Sequence, residues 1–247
     1  MLCQVFGFAR VTIPVMTPAQ KPRIGTLGER SLHAALKRHL AKPGDDVEYP
    51  LDGYVIDIRR GDKLIEVQTT GFSSVRRKYR DLVTRHRMHV IHPIAIEKHI
   101  IWLDEDGAIE RKSKSTAKRS AANIFDALTG CPEIICSPNF TLEVLLVREE
   151  EVRQRVVPRQ RRRWNRDWKP VDHRLIEIVE RRAFRAPGDL LSLLPDGLPD
   201  QFTNADLVKL GKISRHLAQR VTYCLRNCGA ISVAGKKGKA VLYESKR

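Results

Sequence analysis

Two carboxylates, Asp57 and Glu66, stand in the stretch YVIDIRRGDKLIEVQTTGF, where a purely structural strand would not need them. The stretch predicts two apolar strands joined by a tight turn at residues 60–62. Because alternate residues of a strand face the same side, Glu66 and Gln68 share one face. A hairpin can set Asp57 beside Glu66, and two carboxylates held close together repel unless they are protonated or bridged by a cation. The hairpin therefore predicts a site for a hard divalent cation, Mg²⁺ or Mn²⁺.

A third acid, Glu29, opens the first predicted helix. Its charge suits the helix dipole, which would by itself explain its position. Asp57 taken alone is equally compatible with an outward polar residue of an edge strand. The three acids together, on a frame of helix, hairpin and helix, favour the cation site. His33 and Lys37 follow on about the same helical side as Glu29, and both helix packing and a place in the cleft are open to them.

The elements around these acids alternate between helix and strand. Apolar residues at helical spacing predict a helix from Gly28 that ends at KPGDD, and a second helix in SSVRRKYRDLVTRHR. Between and after them, runs of apolar residues bounded by turn residues predict strands. The predicted order is α–β–β–β–α–β–β–α–β and ends near residue 150. This order predicts a mixed α/β domain over residues 24–150.

The segments GERSLHAALK, VIDI and IEVQT, with the basic helix that follows, resemble the PD-(D/E)xK nuclease superfamily over roughly residues 24–100. The whole chain also looks like uncharacterised bacterial proteins that join such a domain to a C-terminal winged helix. The resemblance implies a restriction-endonuclease-like mixed sheet flanked by helices. It matches Asp57 and Glu66 to the metal-binding acids and Glu29 to the acid of the helix. It also implies phosphodiester hydrolysis, in which the metal polarises the scissile phosphate and lowers the pKa of an attacking water.

The family pattern has a lysine where this chain has Gln68. Some restriction endonucleases of the superfamily also carry glutamine there, and its amide can orient a water. It brings no positive charge, however, so a basic residue from elsewhere could supply the missing cation. The candidates are at the start of the next helix, where we also expect contacts with nucleic acid: Arg76, Arg77 and Lys78.

The charge balance indicates the class of partner. The chain has 247 residues with 45 Lys and Arg against 29 Asp and Glu, a formal net charge of +16. Such an excess favours a polyanion, above all nucleic acid. A basic stretch, RQRVVPRQRRRWNRDWK, crosses the predicted linker at residues 151–170. It is either a solvated linker or a contact in which Trp164 or Trp168 stacks and the arginines bind phosphates, among them Arg161, Arg162 and Arg163.

Residues 171–247 predict a mostly helical winged helix-turn-helix domain. DHRLIEIVERRAF is expected to be helical, and a capped helix, a longer helix and a hairpin tipped with glycine and lysine follow. The predicted DNA contacts on the longer helix and on the hairpin are Arg215, Gln219, Arg220, Lys236, Lys237 and Lys239.

The remaining features concern the setting of the protein. The five cysteines are scattered, which argues against a disulfide framework and for a reduced, cytoplasmic setting; Cys224 and Cys228 are expected to be buried thiols. No apolar run approaches the roughly 18–20 residues that span a bilayer, so we expect no membrane partner. The opening MLCQVFGFARVTIPVM is apolar without the features of a signal peptide, and residues 1–23 are expected to be a poorly ordered leader.

These patterns support three functional hypotheses. The first is a Mg²⁺-dependent or Mn²⁺-dependent endonuclease that hydrolyses DNA and is targeted by the winged helix. The second is a catalytically inactive DNA-binding or regulatory protein on the same fold, which the substitution at Gln68 favours. The third is a protein-interaction module, since winged helices also dock proteins. The sequence leaves open whether the nucleic acid is DNA or RNA, and whether a homodimer is needed for double-strand cuts.

Overall fold

The computed structural model describes residues 31–155 and 168–245. These form a mixed α/β structure in which helices flank a seven-stranded mixed sheet. The predicted leader, the residue Glu29 and the arginines at 161–163 lie outside the described residues. None of the described helices is long and apolar enough to cross a membrane.

The first half of the chain follows the predicted order of elements. Helix α1 is followed by a three-stranded meander, helix α2 and two further strands joined by the turn that begins at Asp104. Their bounds are α1 Ser31–Leu40, β1 Asp46–Leu51, β2 Tyr54–Arg60, β3 Lys63–Val67, α2 Arg76–Leu82, β4 Arg87–Leu103 and β5 Ile109–Lys114. A short helix α3, Ile124–Leu128, then leads by a 3₁₀ turn, Pro132–Cys136, to the long strand β6, Phe140–Arg155.

The sheet has the strand order β1-β2-β3-β4-β6-β7, with β5 paired to β4 beside this row. β3 pairs in parallel with β4, and β4 in parallel with β6, whereas the other neighbours are antiparallel. A parallel pair needs a crossover, and helix α2 supplies the one between β3 and β4. The carboxyl end of β3 is therefore followed directly by the loop into α2.

Each face of the sheet packs against its own helices. On one face, α1 places Leu32 and Leu36 against Ile58, Ile65 and neighbouring strand residues. On the other face, Tyr79 and Leu82 of α2 join a larger cluster that continues into α3 and the C-terminal helices. The alternation of Leu64 and Ile65 between these two clusters is the alternation expected of a strand buried on both sides.

The prediction of a helix in DHRLIEIVERRAF is wrong: these residues lie in strand β7, Trp168–Phe184, antiparallel to β6. The pairing register passes over Val171, Ile176 and Val179, which are extra residues in β7 relative to β6. Such bulges shift the alternation of a strand. They place Leu175 and Ile178, three residues apart, against the same cluster, which is the spacing that suggested a helix.

The C-terminal part contains more strand than was predicted. β7 is followed by a 3₁₀ segment, Pro187–Leu193, and then by two helices and three short strands. These are β8 Gln201–Phe202, α4 Asn204–Gly211, α5 Arg215–Asn227, β9 Ile231–Lys237 and β10 Ala240–Ser245, with the sheet order β8-β10-β9. The expectation of a mostly helical region after residue 171 is therefore wrong, because β7 belongs to the large sheet. The predicted domain boundaries stay predictions, and β7 pairs with β6 across the predicted linker.

The cysteines of the described ranges behave as expected. Cys131, Cys136, Cys224 and Cys228 all carry free thiols. Cys224 and Cys228 are buried on the inner face of α5, and burial raises the pKa of the Cys224 thiol to about 12. They are packing residues of the C-terminal core.

Candidate active site

Asp57 and Glu66 lie opposite each other where strands β2 and β3 separate. The backbone pairing of the hairpin runs from the turn to Ile58 and Ile65 and ends there. Beyond that point the hydrogen bonds between the two strands join backbone amides to side-chain carboxylates. The Val67 amide donates to Asp57 Oδ2 at 2.8 Å, and the Asp57 amide donates to Glu66 Oε1 at 3.3 Å. The hairpin thus brings the backbone of each strand to the carboxylate of the other, and the cation site that the sequence suggests here stays a prediction.

Asp57 is directed toward helix α1. His33 Nε2 lies 3.2 Å from Asp57 Oδ2. Burial raises the pKa of Asp57, but the hydrogen bonds from His33 and the Val67 amide outweigh it, so its pKa lies below the ordinary value. The structure therefore holds Asp57 as a carboxylate. It also places His33, whose position the sequence left open, in the site rather than in the helix packing.

Glu66 is directed toward helix α2 and is only 6% exposed. Its pKa lies above the ordinary value because burial dominates, while Lys78 opposes the shift and the nearby charge of Asp57 adds to it. The two acids thus have pKa values displaced in opposite directions. Such a displacement is common where paired carboxylates bind a cation or exchange protons, although structural ion pairs can produce it too.

Lys78 supplies a positive charge to the acid pair. Its Nζ donates to Glu66 Oε1 at 2.7 Å and to the Val55 carbonyl oxygen at 2.6 Å. Of the three basic residues that the sequence offered, this one reaches the carboxylates. Arg76 instead pairs with Glu133 at 3.6 Å, and Arg77 is exposed with no ion pair among the described residues. The helix after the hairpin therefore carries an ammonium group to the site that β3 itself lacks.

Gln68 does not contact the acids. Its side-chain amide donates to Thr70 Oγ1 at 2.8 Å and to the Gly71 carbonyl oxygen at 3.2 Å. Its backbone carbonyl oxygen lies 2.6 Å from His92 Nδ1. The amide is thus used within its own turn, and a role for Gln68 in orienting water stays a prediction.

Tyr79, next to Lys78, was missed by the sequence reasoning as a site residue. Its side chain is fully buried, and its hydroxyl has no hydrogen-bond partner among the described residues. Burial raises the pKa of Tyr79 well above its ordinary value, and the negative charges of Glu66 and Asp57 add to the rise. A polar atom without a partner stands beside the acid pair, and nothing in the sequence distinguished this tyrosine from an ordinary packing residue of α2.

A second group of polar residues lies on the α1 side of the sheet. Glu149, Glu151 and His173 offer ligand atoms that lie within 4.8 Å of one another. In the described ranges no such group of three includes Asp57 or Glu66. Lys98 Nζ lies 2.9 Å from Glu149 Oε1 and 2.6 Å from Glu151 Oε2. The spacing of Glu149 and Glu151, two residues apart on a strand, was the signal that could have revealed this group.

The predicted nucleic-acid contacts at the C-terminus are mostly on the surface. Arg215 and Gln219 are exposed on α5, and the three lysines at 236, 237 and 239 are exposed on the hairpin of β9 and β10. Arg220 differs because its guanidinium donates to Asp126 Oδ1 of α3 at 2.7 Å. That contact holds α5 against α3. The Arg220 side chain is therefore bonded within the protein, whereas the other predicted contact residues at the C-terminus are exposed.

The comparisons with known proteins place the chain in a family. A family model described as "Domain of unknown function (DUF8091)" matches residues 30–185, which is more than half of the chain. The protein belongs to this family. An "Uncharacterized protein" of Treponema pallidum (strain Nichols) is 28% identical over 221 residues, covering 89% of this chain and 86% of the relative. No solved structure matches the chain. The family match includes the acid pair, Lys78 and all of β7.

Proposed function

We propose that this protein is a metal-dependent endonuclease that hydrolyses DNA phosphodiester bonds. The observation that carries the proposal is the juxtaposition of Asp57, Glu66 and Lys78 at the point where β2 and β3 separate. The order α1-β1-β2-β3-α2-β4, with an antiparallel hairpin and a parallel crossover, supports a restriction-endonuclease-like core. In that superfamily two acids and one lysine form the reacting site, and here the lysine comes from the helix.

The donor set suits a hard cation, Mg²⁺ or Mn²⁺. Asp57 is held ionised by its hydrogen bonds, and Glu66 lies next to it, paired with the Lys78 ammonium group. Carboxylate oxygens are the ligands these ions prefer. Asp57 and Glu66 would hold the ion, with Glu29 as a further acid. The bound ion would polarise the phosphate and generate the hydroxide nucleophile.

The residues of the chain have separate roles in this proposal. Asp57 and Glu66 hold negative charge at a fixed place. Lys78, which pairs with Glu66, would stabilise the charge that develops on the phosphate. His33 orients the Asp57 carboxylate through its hydrogen bond. The Val67 amide fixes the same carboxylate from the other side.

The C-terminal elements are proposed to bind DNA as a winged helix. The order β8-α4-α5-β9-β10 with a three-stranded antiparallel sheet supports this. Helix α5 presents Arg215, Gln219 and Tyr223 on its exposed side, and the lysines of the β9–β10 hairpin lie at the wing. Phosphate contacts by such residues would steer the chain onto nucleic acid. The free thiols and this partner favour a cytoplasmic location.

The second candidate is a DNA-binding or regulatory protein without turnover. Two observations favour it: the Gln68 amide is occupied by its own turn, and Lys78 already neutralises Glu66. On this alternative the acid pair and Lys78 are a structural ion pair, while the basic surfaces still bind DNA.

Cleavage assays in Mg²⁺ or Mn²⁺ test the proposal. The substrates are plasmid DNA, single-stranded DNA, branched DNA and RNA. The variants are Asp57→Ala and Glu66→Ala, with Asp62→Ala as the matched control, because Asp62 is an exposed acid in the turn of the same hairpin. We expect cleavage by the wild type and the control only. Cleavage that persists in both site variants contradicts the assigned site, and salt-sensitive binding without any cleavage supports the second candidate.

A further inference from the structure

A cavity of about 140 Å³ lies on the α1 side of the large sheet, and the proposed cleavage reaction does not involve it. We call it the Thr69 cavity. It is formed where the first turn of α1, the end of β3 and the middle of β4, β6 and β7 meet. The lining residues that matter here are Leu32, Thr69, Lys98, Arg119, Glu149 and His173.

The Thr69 cavity adjoins the acid pair through two elements. On α1, Leu32 lines the cavity and the next residue, His33, bonds to Asp57. On the chain after β3, Thr69 lies two residues beyond Val67, whose amide also bonds to Asp57. Two residues of extended chain span about 7 Å. Thr69 therefore lies about 7 Å along the chain from the amide that bonds to Asp57, the carboxylate proposed to hold the cation.

The lining presents hydrogen-bond donors that the protein leaves unused. An ammonium group has three protons, and Lys98 gives two of them to Glu149 and Glu151. Arg119 has a single distant ion pair, 3.8 Å from Asp126. Across the described residues, neither the Thr69 hydroxyl nor His173 Nε2 has a hydrogen bond. Donors from four different segments thus converge on one small space.

The charges around the cavity favour an anion over a second metal ion. Among the lining residues, Lys98 and Arg119 outnumber the single carboxylate, Glu149, by one positive charge. The Lys98 ammonium also lies between the carboxylates of Glu149 and Glu151, the position that a cation would need. Both carboxylates are already paired with Lys98. They are therefore weaker ligands for a metal ion than the unused donors are for an anion.

We propose that the Thr69 cavity binds a phosphate group of the nucleic acid, next to the phosphate that is cleaved. Identifying the anion as nucleic-acid phosphate rests on the proposed function. The cavity, about 140 Å³, has room for one tetrahedral phosphate. A phosphate fixed there would set the register of the strand at the acid pair.

Equilibrium binding of labelled duplex DNA, with and without a 5′-phosphate, tests the proposal in the absence of divalent cations. The main variant is Thr69→Val, which removes one hydroxyl without changing the charge. Arg119→Gln removes a charged donor, and Arg119→Lys restores the charge. The charge-matched control is Arg87→Gln, because Arg87 lies at the far end of β4 and pairs with exposed Asp62. We expect Arg119→Gln to weaken binding roughly tenfold, the loss of one charge-assisted contact, and Thr69→Val to weaken it severalfold. Arg119→Lys recovers most of the loss, and Arg87→Gln changes affinity less than twofold.

The two duplexes distinguish the sources of the phosphate. If the cavity takes a terminal phosphate, wild-type protein prefers the 5′-phosphorylated duplex and Thr69→Val abolishes that preference. If it takes a phosphate of the internal backbone, both duplexes bind equally and Thr69→Val weakens both. Binding of both duplexes by Thr69→Val with wild-type affinity overturns the proposal. An equal loss in Arg119→Gln and Arg87→Gln also overturns it, because only the net charge would then matter.

Failure of this inference is distinguishable from failure of the proposed function. Cleavage by the wild type together with unchanged binding by Thr69→Val removes the phosphate site alone. Absence of cleavage, with binding still weakened by Thr69→Val, removes the nuclease and leaves a phosphate site in a DNA-binding protein.

Discussion

At the scale of single residues, the acid pair is defined by environment more than by residue type. Asp57 and Glu66 are neighbours across a hairpin, but Asp57 is directed toward α1 and Glu66 toward α2. Hydrogen bonds lower the pKa of Asp57, and burial raises the pKa of Glu66. Lys78 contacts only the buried one. On our proposal a bound cation would displace the ammonium group from Glu66, and this displacement would distinguish a nuclease from a protein in which Lys78 and Glu66 form a structural ion pair.

Lys78→Met tests that step. Removing the ammonium leaves the buried Glu66 without its charged partner, so its pKa rises further and cation binding shifts to higher pH. On our proposal the cleavage rate falls about 100-fold or more, since a donor that stabilises the transition state is lost. Both quantities are measured from Mn²⁺ titrations and single-turnover cleavage across pH. Arg87→Met, which removes an exposed basic group at the start of β4, is the control and should leave both unchanged.

Asp57→Asn tests the hydrogen bonds that hold the carboxylate. The folded pKa of Asp57 is depressed, so its ionised form stabilises the fold above the unfolded pKa of about 3.9, and that contribution is lost as the pH falls through the folded value. We expect the difference in free energy of unfolding between wild type and variant to shrink as the pH falls below 4. Urea denaturation measures it. A difference that stays constant to pH 3 would contradict the assigned hydrogen bonds.

Tyr79→Phe tests the buried hydroxyl that has no protein partner. Burying such a group without a hydrogen bond is costly, so its removal should leave the free energy of unfolding unchanged or raise it by about 1 kcal/mol. Tyr79→Ala, which also removes the ring that contacts Phe72, should lower it by about 3–5 kcal/mol. Chemical denaturation separates the two variants. A loss of more than about 1 kcal/mol in Tyr79→Phe would show that the hydroxyl has a partner in the folded protein.

At the scale of elements, the hairpin and its flanking helices could be predicted because their signals are local. A tight turn fixes the register of β2 and β3. The opposition of Asp57 and Glu66 therefore follows from their separation of nine positions in the sequence. Strand β7 could not be predicted in this way. Its three bulges place Leu175 and Ile178 on one face at a helical interval. Only the pairing with β6, a tertiary contact, decides its conformation.

Two arginines of α5 lie in different environments, because one side of this helix packs against α3. Arg220 pairs with Asp126, and Arg215 is exposed. Arg220→Gln should lower the free energy of unfolding by about 0.5–1 kcal/mol, the value of a partly exposed ion pair. Arg215→Gln should leave stability unchanged and weaken DNA binding. Thermal denaturation and fluorescence anisotropy of each variant measure the two effects. If Arg220→Gln leaves stability unchanged, the contact does not hold α5 in place.

At the scale of the whole molecule, residues far apart in sequence meet on both faces of one sheet. The acids and Lys78 lie within 22 positions of one another, which is why sequence patterns indicated them. Lys98, Glu149 and His173 come from three strands that only the sheet order brings together. The Thr69 cavity could therefore not be predicted from spacing. The excess of basic residues suggested a polyanionic partner, and on our proposal the fold determines where that partner binds.

The most direct test of the central claim is the single-turnover cleavage of duplex DNA in Mn²⁺ by wild type, Glu66→Ala and Asp62→Ala. We predict that wild type and Asp62→Ala cleave at the same rate. Glu66→Ala should be slower by roughly 100-fold or more, because a ligand of the cation is lost. Equal rates for wild type and Glu66→Ala, or no cleavage by the wild type, would contradict the assignment of this hairpin as a nuclease site.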